Sequence, residues 1–229
     1  MGSAFFLFFA LTVDLYWLLH YDRLPELAPR RVNKVSDVVN EGDAVKVKLF
    51  DLIGTATDSD LIERFERFDF AALRPARRIT YEVNANWKAI AENYSECYHC
   101  PGLHPQLNHL TPYDRGGDFE TAGPWQGGWM ELTGTAETMA LHGGRREGRP
   151  SLRGMTAVDE RRIVYYLVWP TLFLSLHPDY LLVHRLEPDG PERTRIACDW
   201  LFDPDTSARS GCDPSDAIAF WDMTNRQDW

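Results

Sequence analysis

The sequence predicts an α+β domain in which helices lie against a curved antiparallel sheet. Residues 162–202 contain four successive segments with strand character, separated only by short gaps at Pro170, Pro178 and Pro188. Short gaps favour antiparallel neighbours. Helical patterns precede and follow this region, and together these features indicate helices packed on a sheet. The four predicted strands are 162–168, 171–176, 180–186 and 194–202.

Composition limits the possible functions. The chain has 229 residues, 44% of them apolar, which is enough to bury a substantial core. Its formal net charge of −10 argues against general binding of nucleic acid, since affinity for phosphates comes mostly from Lys and Arg. Four cysteines without a paired spacing argue against a disulfide framework and fit a reducing compartment. We therefore expect a cytoplasmic protein.

The first 54 residues differ from the rest, so we divide the chain into an N-terminal segment, 1–54, and a main domain, 55–229. Residues 4–19 are almost wholly apolar but shorter than the roughly twenty residues of a membrane-spanning helix. Both a membrane anchor and a buried segment are consistent with this run.

Residues 26–51 end in an alternating strand and resemble part of an S1-type OB-fold RNA-binding domain, but the stretch is too short to close a barrel. A plain hairpin and a fusion are the alternatives.

The main domain begins with a helical pattern. Leu61, Phe65 and Phe68 recur at helical spacing, and apolar and polar residues alternate over residues 78–85, as they do in a strand.

Residues 111–128 are rich in Gly, Pro and Asp, which predicts a loop. Residues 141–155 are basic and Gly-rich, which predicts a mobile loop with solvated arginines or, alternatively, a lid. A last helix, capped by Asp213 or Ser215, runs to Asp228.

Residues 86–105, NWKAIAENYSECYHCPGLHP, concentrate the chemically active side chains. A helix is predicted to start near Trp87 and to end or bend at Pro101-Gly102. That helix would place Glu92, Glu96 and His99 on one face. The side chains in or just beyond the stretch that handle metals or protons are Glu92, Glu96, Cys97, His99, Cys100, His104 and His109.

His99 and His104 are spaced so that both imidazoles can face one ion. Imidazoles suit Zn, Cu, Fe and Ni. Cys97 and Cys100 form a C-x-x-C, but a structural zinc site needs a second pair, and the remaining cysteines are single and distant. We interpret the C-x-x-C pair as packing residues. Two histidines with one distant carboxylate and open positions are typical of non-haem Fe(II) oxygenases.

The pattern NWK-x3-EN-x2-ECYHC-x3-HP resembles the iron-binding segment of the catalytic α subunits of Rieske-type ring-hydroxylating oxygenases. The resemblance continues in SLHPDY (175–180) and FWDMTNRQDW (220–229) and covers roughly residue 55 to the end. It implies a helix-grip (START/Bet v 1-like) domain, a curved antiparallel sheet with helices on one face and iron between them.

The resemblance also implies the roles of four residues. His99, His104 and Asp228 would hold a mononuclear Fe(II), with Asp222 as the competing carboxylate. Glu96 would connect the iron site to the Rieske cluster of a neighbouring subunit. No cysteine precedes Cys97, so the ligands of the family's [2Fe–2S] cluster are absent from this chain.

The implied activity is O2-dependent hydroxylation of an aromatic ring or oxidative demethylation of a small amine. The implied partners are O2, a small organic substrate, a Rieske-bearing subunit and a reductase or ferredoxin, in a homo-oligomer, namely a trimer. Because the chain ends one residue after Asp228, we expect a fragment that is inactive alone. The alternatives are a non-catalytic helix-grip module that binds a small ligand and an S1-type RNA-binding fusion.

Aromatic residues are the candidates for the substrate pocket. They suit either stacking on a ring or a cation–π cage. His177, His184 and Asp179 are further candidates, although HPDY is equally consistent with a packed turn. The aromatic candidates are Trp125, Trp129, Tyr165, Tyr166, Trp169 and Phe173.

Overall fold

The computed structural model describes residues 59–121, 123–145, 148–204, 206 and 213–229. The interpretations made for residues 1–54, including the apolar run 4–19 and the S1-like stretch 26–51, lie outside these residues. None of the helices in the described ranges has both the length and the apolar character needed to cross a bilayer.

Seven strands form one sheet in the order β1-β7-β6-β5-β4-β3-β2, and every neighbouring pair is antiparallel. The antiparallel arrangement predicted for residues 162–202 is confirmed. The strands are β1 (Arg74–Val83), β2 (Gly116–Asp118), β3 (Trp125–Glu131), β4 (Arg162–Val168), β5 (Leu172–Leu176), β6 (Tyr180–Pro188) and β7 (Thr194–Phe202). The helices are α1 (Ser59–Glu66), α2 (Trp87–Tyr94), α3 (Cys100–Leu103), α4 (Pro105–Leu110) and α5 (Ser215–Asp228), with 3-10 turns at Phe70–Ala72 and Asp159–Arg161.

Successive residues of β4, β5, β6 and β7 contribute to two separate hydrophobic cores, as expected when side chains alternate between the faces of a sheet. On β4, Ile163 and Leu167 belong to the core that also contains buried residues of α2, α4 and α5. Val164 and Tyr166 belong to the other core, which they share with α1. The predicted helix-grip arrangement is therefore confirmed for the face that carries the candidate site, whereas α1 covers the opposite face.

The prediction of a loop over residues 111–128 is wrong. β2 and the first half of β3 lie within it. A Cβ atom on Gly127 would come within 2.7 Å of the Tyr165 carbonyl oxygen, and one on Gly128 within 2.7 Å of the Gly117 carbonyl oxygen. Here glycine permits close approach of neighbouring backbones rather than a turn, and composition alone does not separate the two cases.

The prediction that the arginines of residues 141–155 are solvated is wrong for Arg149, which is 1% exposed. Its Nε donates to Asp179 Oδ2 at 2.8 Å, and its Nη1 bonds the Asp213 carbonyl oxygen at 2.8 Å and the Asp216 carboxylate. Thr138 donates to the other oxygen of Asp179. This buried cluster joins the loop to the turn before β6 and to the start of α5.

Candidate metal centre

α2 is shorter than the sequence predicted. Asn86 caps it by accepting a hydrogen bond from the Lys88 backbone N–H, and the helix ends at Tyr94. Ser95 follows with its hydroxyl bonded to the Ala91 carbonyl oxygen at 2.7 Å, a local bond that competes with helix continuation. The expectation that Glu92, Glu96 and His99 share one helical face is therefore wrong.

Glu96 nevertheless contacts His99 because the chain after Ser95 folds into a tight turn. One carboxylate oxygen of Glu96 accepts from the Tyr98 backbone N–H at 2.6 Å, and the other lies 2.6 Å from His99 Nδ1. Burial alone would raise the pKa of Glu96, but its hydrogen bond to His99 and the charge of that ring lower it. Glu96 thus orients the His99 ring and leaves its Nε2 atom free to face the cavity.

Cys97 and Cys100 are joined by a disulfide in this turn, with their Cα atoms 5.0 Å apart. The sequence interpretation expected two packed thiols and no disulfide. Both residues are indeed buried in the core beside the candidate site. Their juxtaposition follows from the same turn, in which the Cys100 N–H bonds the Cys97 carbonyl oxygen at 3.1 Å.

His104 lies between two short helices, α3 and α4, each of which has a proline in its first turn. The residue is 1% exposed. Its Nδ1 is 2.8 Å from Gln227 Oε1, and its Nε2 is 2.9 Å from Asp228 Oδ1. Burial alone would lower the pKa of His104, but its hydrogen bonds to Asp228 and Gln227 raise it.

α5 brings Asp228 to both histidines, although more than 120 residues separate them in sequence. Asp228 Oδ1 lies 2.9 Å from His104 Nε2 and 3.6 Å from His99 Nε2. The two imidazole rings are 5.0 Å apart and nearly perpendicular. Each of the three residues offers one ligand atom, and these atoms all lie within 4.8 Å of one another.

This donor set fits a divalent transition metal. Two ligand atoms that each lie about 2.1 Å from a metal, at right angles, are about 3 Å apart, and the separations from Asp228 Oδ1 are close to that value. An acceptor faces Nδ1 of each histidine: a carboxylate oxygen of Glu96 at His99 and the amide oxygen of Gln227 at His104. This arrangement directs Nε2 of a histidine toward a metal.

Asp222, the competing carboxylate, is engaged elsewhere. Its Oδ1 accepts from the Tyr81 hydroxyl at 2.7 Å and from Arg226 Nε at 3.1 Å. It lies outside the group of three possible ligands. Asp228, on the last turn of the same helix, is the carboxylate that meets the histidines.

A pocket opens beside the three residues and encloses about 790 Å³, including its open mouth. Thr224 and Trp221 of α5 line one side, with His99 and His104 beside them, and the sheet supplies the opposite side. The Trp221 indole N–H is directed away from the pocket, toward His177 Nε2 at 3.1 Å and the Tyr180 hydroxyl oxygen at 2.8 Å. The apolar side chains of the lining are mainly those of Tyr94, Leu107, Met130, Tyr165, Leu167 and Trp221.

Of the predicted pocket aromatics, Tyr165 lines this cavity with its side chain, whereas Trp129 borders the cavity but its ring packs against the core on the face of α1. The Trp129 ring is also stacked by the Arg162 guanidinium, 3.6 Å from its centre. The other aromatic candidates are core residues. Trp125 and Tyr166 pack on the face of α1, and Trp169 and Phe173 pack in the core of the site face, where Phe173 stacks on Tyr94.

The polar candidates from β5 and β6 are buried structural groups. His177 Nε2 accepts a hydrogen bond from the Trp221 indole N–H, and the backbone N–H of His177 donates to the Tyr180 carbonyl oxygen at 2.9 Å. The HPDY residues therefore form the packed turn that the sequence analysis gave as an alternative. Asp179 binds Arg149. Burial lowers the pKa of His184 to about 4, and its Nε2 lies 3.3 Å from Asn225 Oδ1. Sequence reasoning missed Gln227 and Asp118, because neither position carries a signal before the fold is known.

Comparison with known families gives an independent result. Residues 70–229 match the family model described as the ring hydroxylating alpha subunit, catalytic domain. The chain is 29% identical over 170 residues to the glycine betaine monooxygenase oxygenase subunit of Chromohalobacter salexigens, a match that covers 63% of this chain and 38% of that protein. It is 43% identical over 66 residues to the carnitine monooxygenase oxygenase subunit of Acinetobacter pittii, covering 27% of this chain and 18% of that protein.

Among solved structures, the chain is similar to a quaternary ammonium Rieske monooxygenase, with a TM-score of 0.58 and 19% sequence identity over 77% of this chain and 44% of the other. At that identity the likeness shows the fold. The chain spans less than half the length of the curated relatives it matches.

Proposed function

Because the chain belongs to the ring-hydroxylating α-subunit family through its catalytic domain, we propose that it binds one mononuclear Fe(II) through His99, His104 and Asp228 and uses O2 to oxidise a small organic substrate. The convergence of three ligand atoms within 4.8 Å is the observation that carries this proposal. Two imidazoles and a carboxylate leave further positions of a metal open for O2 and substrate. Bound Fe(II) supplies the redox chemistry toward O2.

The residues of the chain supply orientation and exclusion of water. Glu96 and Gln227 hold Nδ1 of the two histidines, so that each ring presents Nε2 to the metal position. Trp221, fixed by its bonds to His177 and Tyr180, closes the pocket beside Thr224. The aromatic and aliphatic lining excludes water from a bound substrate.

We further propose that the substrate is a small quaternary ammonium compound and that the reaction is its oxidative demethylation. Two relatives are named for glycine betaine and carnitine, and these names support this substrate class. The aromatic rings in the pocket also support it, because the face of an aromatic ring attracts a cation. The electrons would come from a Rieske [2Fe–2S] cluster on a partner subunit in a homo-oligomer, reduced by a reductase or ferredoxin, in keeping with the family to which the chain belongs. A cytoplasmic location belongs to the same proposal.

Metal content tests the iron site. We would load the 229-residue chain anaerobically with Fe(II), remove unbound metal and measure iron per chain for wild type, His104→Ala and Asp228→Asn. His109→Ala is the matched control, because His109 is an exposed histidine of α4. We expect close to one iron per chain in wild type and control, and loss of most iron in the two site variants, with unchanged circular dichroism. Full iron in both site variants would contradict the assignment.

A further inference from the structure

We propose that Asp118 is the cation-recognition residue of this pocket and that it selects ligands with a net positive charge over neutral and zwitterionic ligands. This inference rests on the proposed function, since it concerns the substrate of the same site. The inference goes beyond the proposed function in two ways. It names a residue that is not a metal ligand, and it predicts that the pocket distinguishes a monocation from a betaine-like zwitterion.

Asp118 lies at the pocket because of the register of the sheet. It is the last residue of the edge strand β2 and pairs with Gly128 of β3, which in turn pairs with Tyr165 of β4. Directly paired residues point to the same face of a sheet. All three line the pocket, so Asp118, Gly128 and Tyr165 form one row that runs from its mouth to its floor.

Gly128 leaves the space between the two side chains open. A Cβ atom on Gly128 would lie 3.0 Å from Asp118 Oδ1 and 2.7 Å from the Gly117 carbonyl oxygen. Any larger residue would therefore cover the carboxylate. With glycine at this position, the carboxylate faces the pocket from the mouth and the Tyr165 side chain faces it from the floor.

The pocket carries three carboxylates, and Asp118 differs from the other two. Glu96 bonds His99, and Asp228 bonds His104. Asp118 forms no ion pair with any Lys, Arg or His within the described ranges, and the pocket lining drawn from those ranges includes no Lys or Arg. Burial raises the pKa of Asp118 to about 6. Asp118 is exposed at the edge of the sheet, so at neutral pH it is an anion at the pocket mouth that a ligand cation can approach.

A second polar group in the pocket also lacks a partner. The Tyr165 hydroxyl oxygen is buried and forms no hydrogen bond with the described residues. Because this oxygen has almost no solvent-accessible surface, a ligand in the pocket meets the ring of Tyr165 and not its hydroxyl. The rings of Tyr165 and Trp221 add faces on which an ammonium group is favourable. The ligand class is therefore a small organic monocation.

A zwitterion fits this pocket less well. In the metal-free chain, its carboxylate would meet Glu96, Asp118 and Asp228 and would find no cationic side chain among the described lining residues. Like charges in a partly desolvated site repel one another. We therefore expect choline to bind more tightly than glycine betaine, although both carry the same trimethylammonium group.

Calorimetric titration of the metal-free 229-residue chain at pH 7.5 tests the inference with three probes: choline, its neutral isostere 3,3-dimethylbutan-1-ol, and glycine betaine. In wild type we expect choline to bind at least about fivefold more tightly than either other probe, which corresponds to about 1 kcal/mol for one partly exposed charge pair. Asp118→Asn should remove the preference over the isostere. Glu131→Gln is the matched control, since Glu131 is an exposed acid of β3 outside the pocket, and it should keep the preference.

The inference is overturned if Asp118→Asn retains the wild-type preference, if Glu131→Gln loses it to the same extent, or if wild type binds none of the probes. Each of these results leaves the iron measurements unaffected. Conversely, the iron measurements could contradict the metal site while the preference for choline persists. That result would refute the proposed oxygenation and leave Asp118 as the determinant of a cation-binding pocket.

Discussion

Gln227 accepts a hydrogen bond from His104 Nδ1 at 2.8 Å, and the next residue of the same helix, Asp228, lies 2.9 Å from Nε2 of the same ring. One turn of α5 thus fixes both nitrogens of one imidazole. The Asp-to-His distance and the ring orientation are set together, because both depend on the position of a single helix end.

Gln227 is expected to tune metal affinity without being a ligand. Gln227→Leu removes the acceptor at Nδ1, and loss of such a partner typically weakens metal binding about 10- to 100-fold. Gln227→Glu keeps an acceptor and should restore most of the affinity. Competition with a chelator under anaerobic conditions measures the dissociation constants. Equal affinities in wild type and Gln227→Leu would show that the bond does not orient the ring.

Asp222→Asn is expected to leave iron stoichiometry nearly unchanged, whereas Asp228→Asn loses most of the iron. Asp222 already accepts from Tyr81 and Arg226 and lies outside the ligand group. The comparison is matched, because the two residues lie on the same helix and the same change is made. A greater loss of iron from Asp222→Asn would reverse the assignment of the carboxylate ligand.

Glu96 is expected to matter for electron delivery more than for oxidation itself. We predict that the chain alone does not turn over with NADH and a reductase, but forms some product with peroxide, which brings both electrons and oxygen. Glu96→Ala removes the acceptor at His99 Nδ1, so its iron affinity should fall, and the assay must use saturating Fe(II). It should then keep peroxide-driven product and lose reductase-driven turnover when an intact Rieske-bearing partner is added. Turnover of the chain alone with NADH and reductase would contradict this prediction.

The affinity for choline is expected to rise with pH. Asp118 is neutral below its pKa of about 6 and ionised above it, so cation binding should strengthen between pH 5 and pH 7.5. Glu96, whose pKa is lowered by His99, stays ionised through this range. Protonation of His104 at low pH would also weaken cation binding, and it would do so equally in wild type and in Asp118→Asn. The difference between wild type and Asp118→Asn, measured by titration across the range, isolates Asp118, and identical profiles would exclude it.

The buried Arg149 cluster is expected to stabilise the fold strongly. Arg149→Ala leaves Asp179 and Asp216 uncompensated in the interior, and breaking a buried ion pair in this way costs about 3–5 kcal/mol. Arg153→Ala is the matched control, because Arg153 is largely exposed and its change should cost less than about 0.5 kcal/mol. Urea denaturation measures both free energies of unfolding. Similar values for the two variants would contradict the assigned role of the cluster.

The sequence by itself determined the strand pattern of residues 162–202 and the spacing of His99 and His104. Both are local: alternation has a period of two residues, and H-x4-H lies within one short segment. The similarity of the segments at residues 86–105 and 220–229 to one family predicted which distant carboxylate to pair with the histidines. In the structure the two segments meet, because Asp228 of the second segment contacts His104 of the first.

Only the tertiary structure decided the remaining features, because each depends on contacts between segments far apart in the chain. α2 ends at Tyr94 and a turn, not a helix, brings Glu96 to His99. The Gly-rich residues of β2 and β3 form strands because pairing of β2 with β3, and of β3 with β4, satisfies their backbone groups. Burial of Arg149 requires carboxylates from two other segments. The position of Asp118 in the pocket follows from cross-strand register, a long-range quantity that no local pattern around residue 118 specifies.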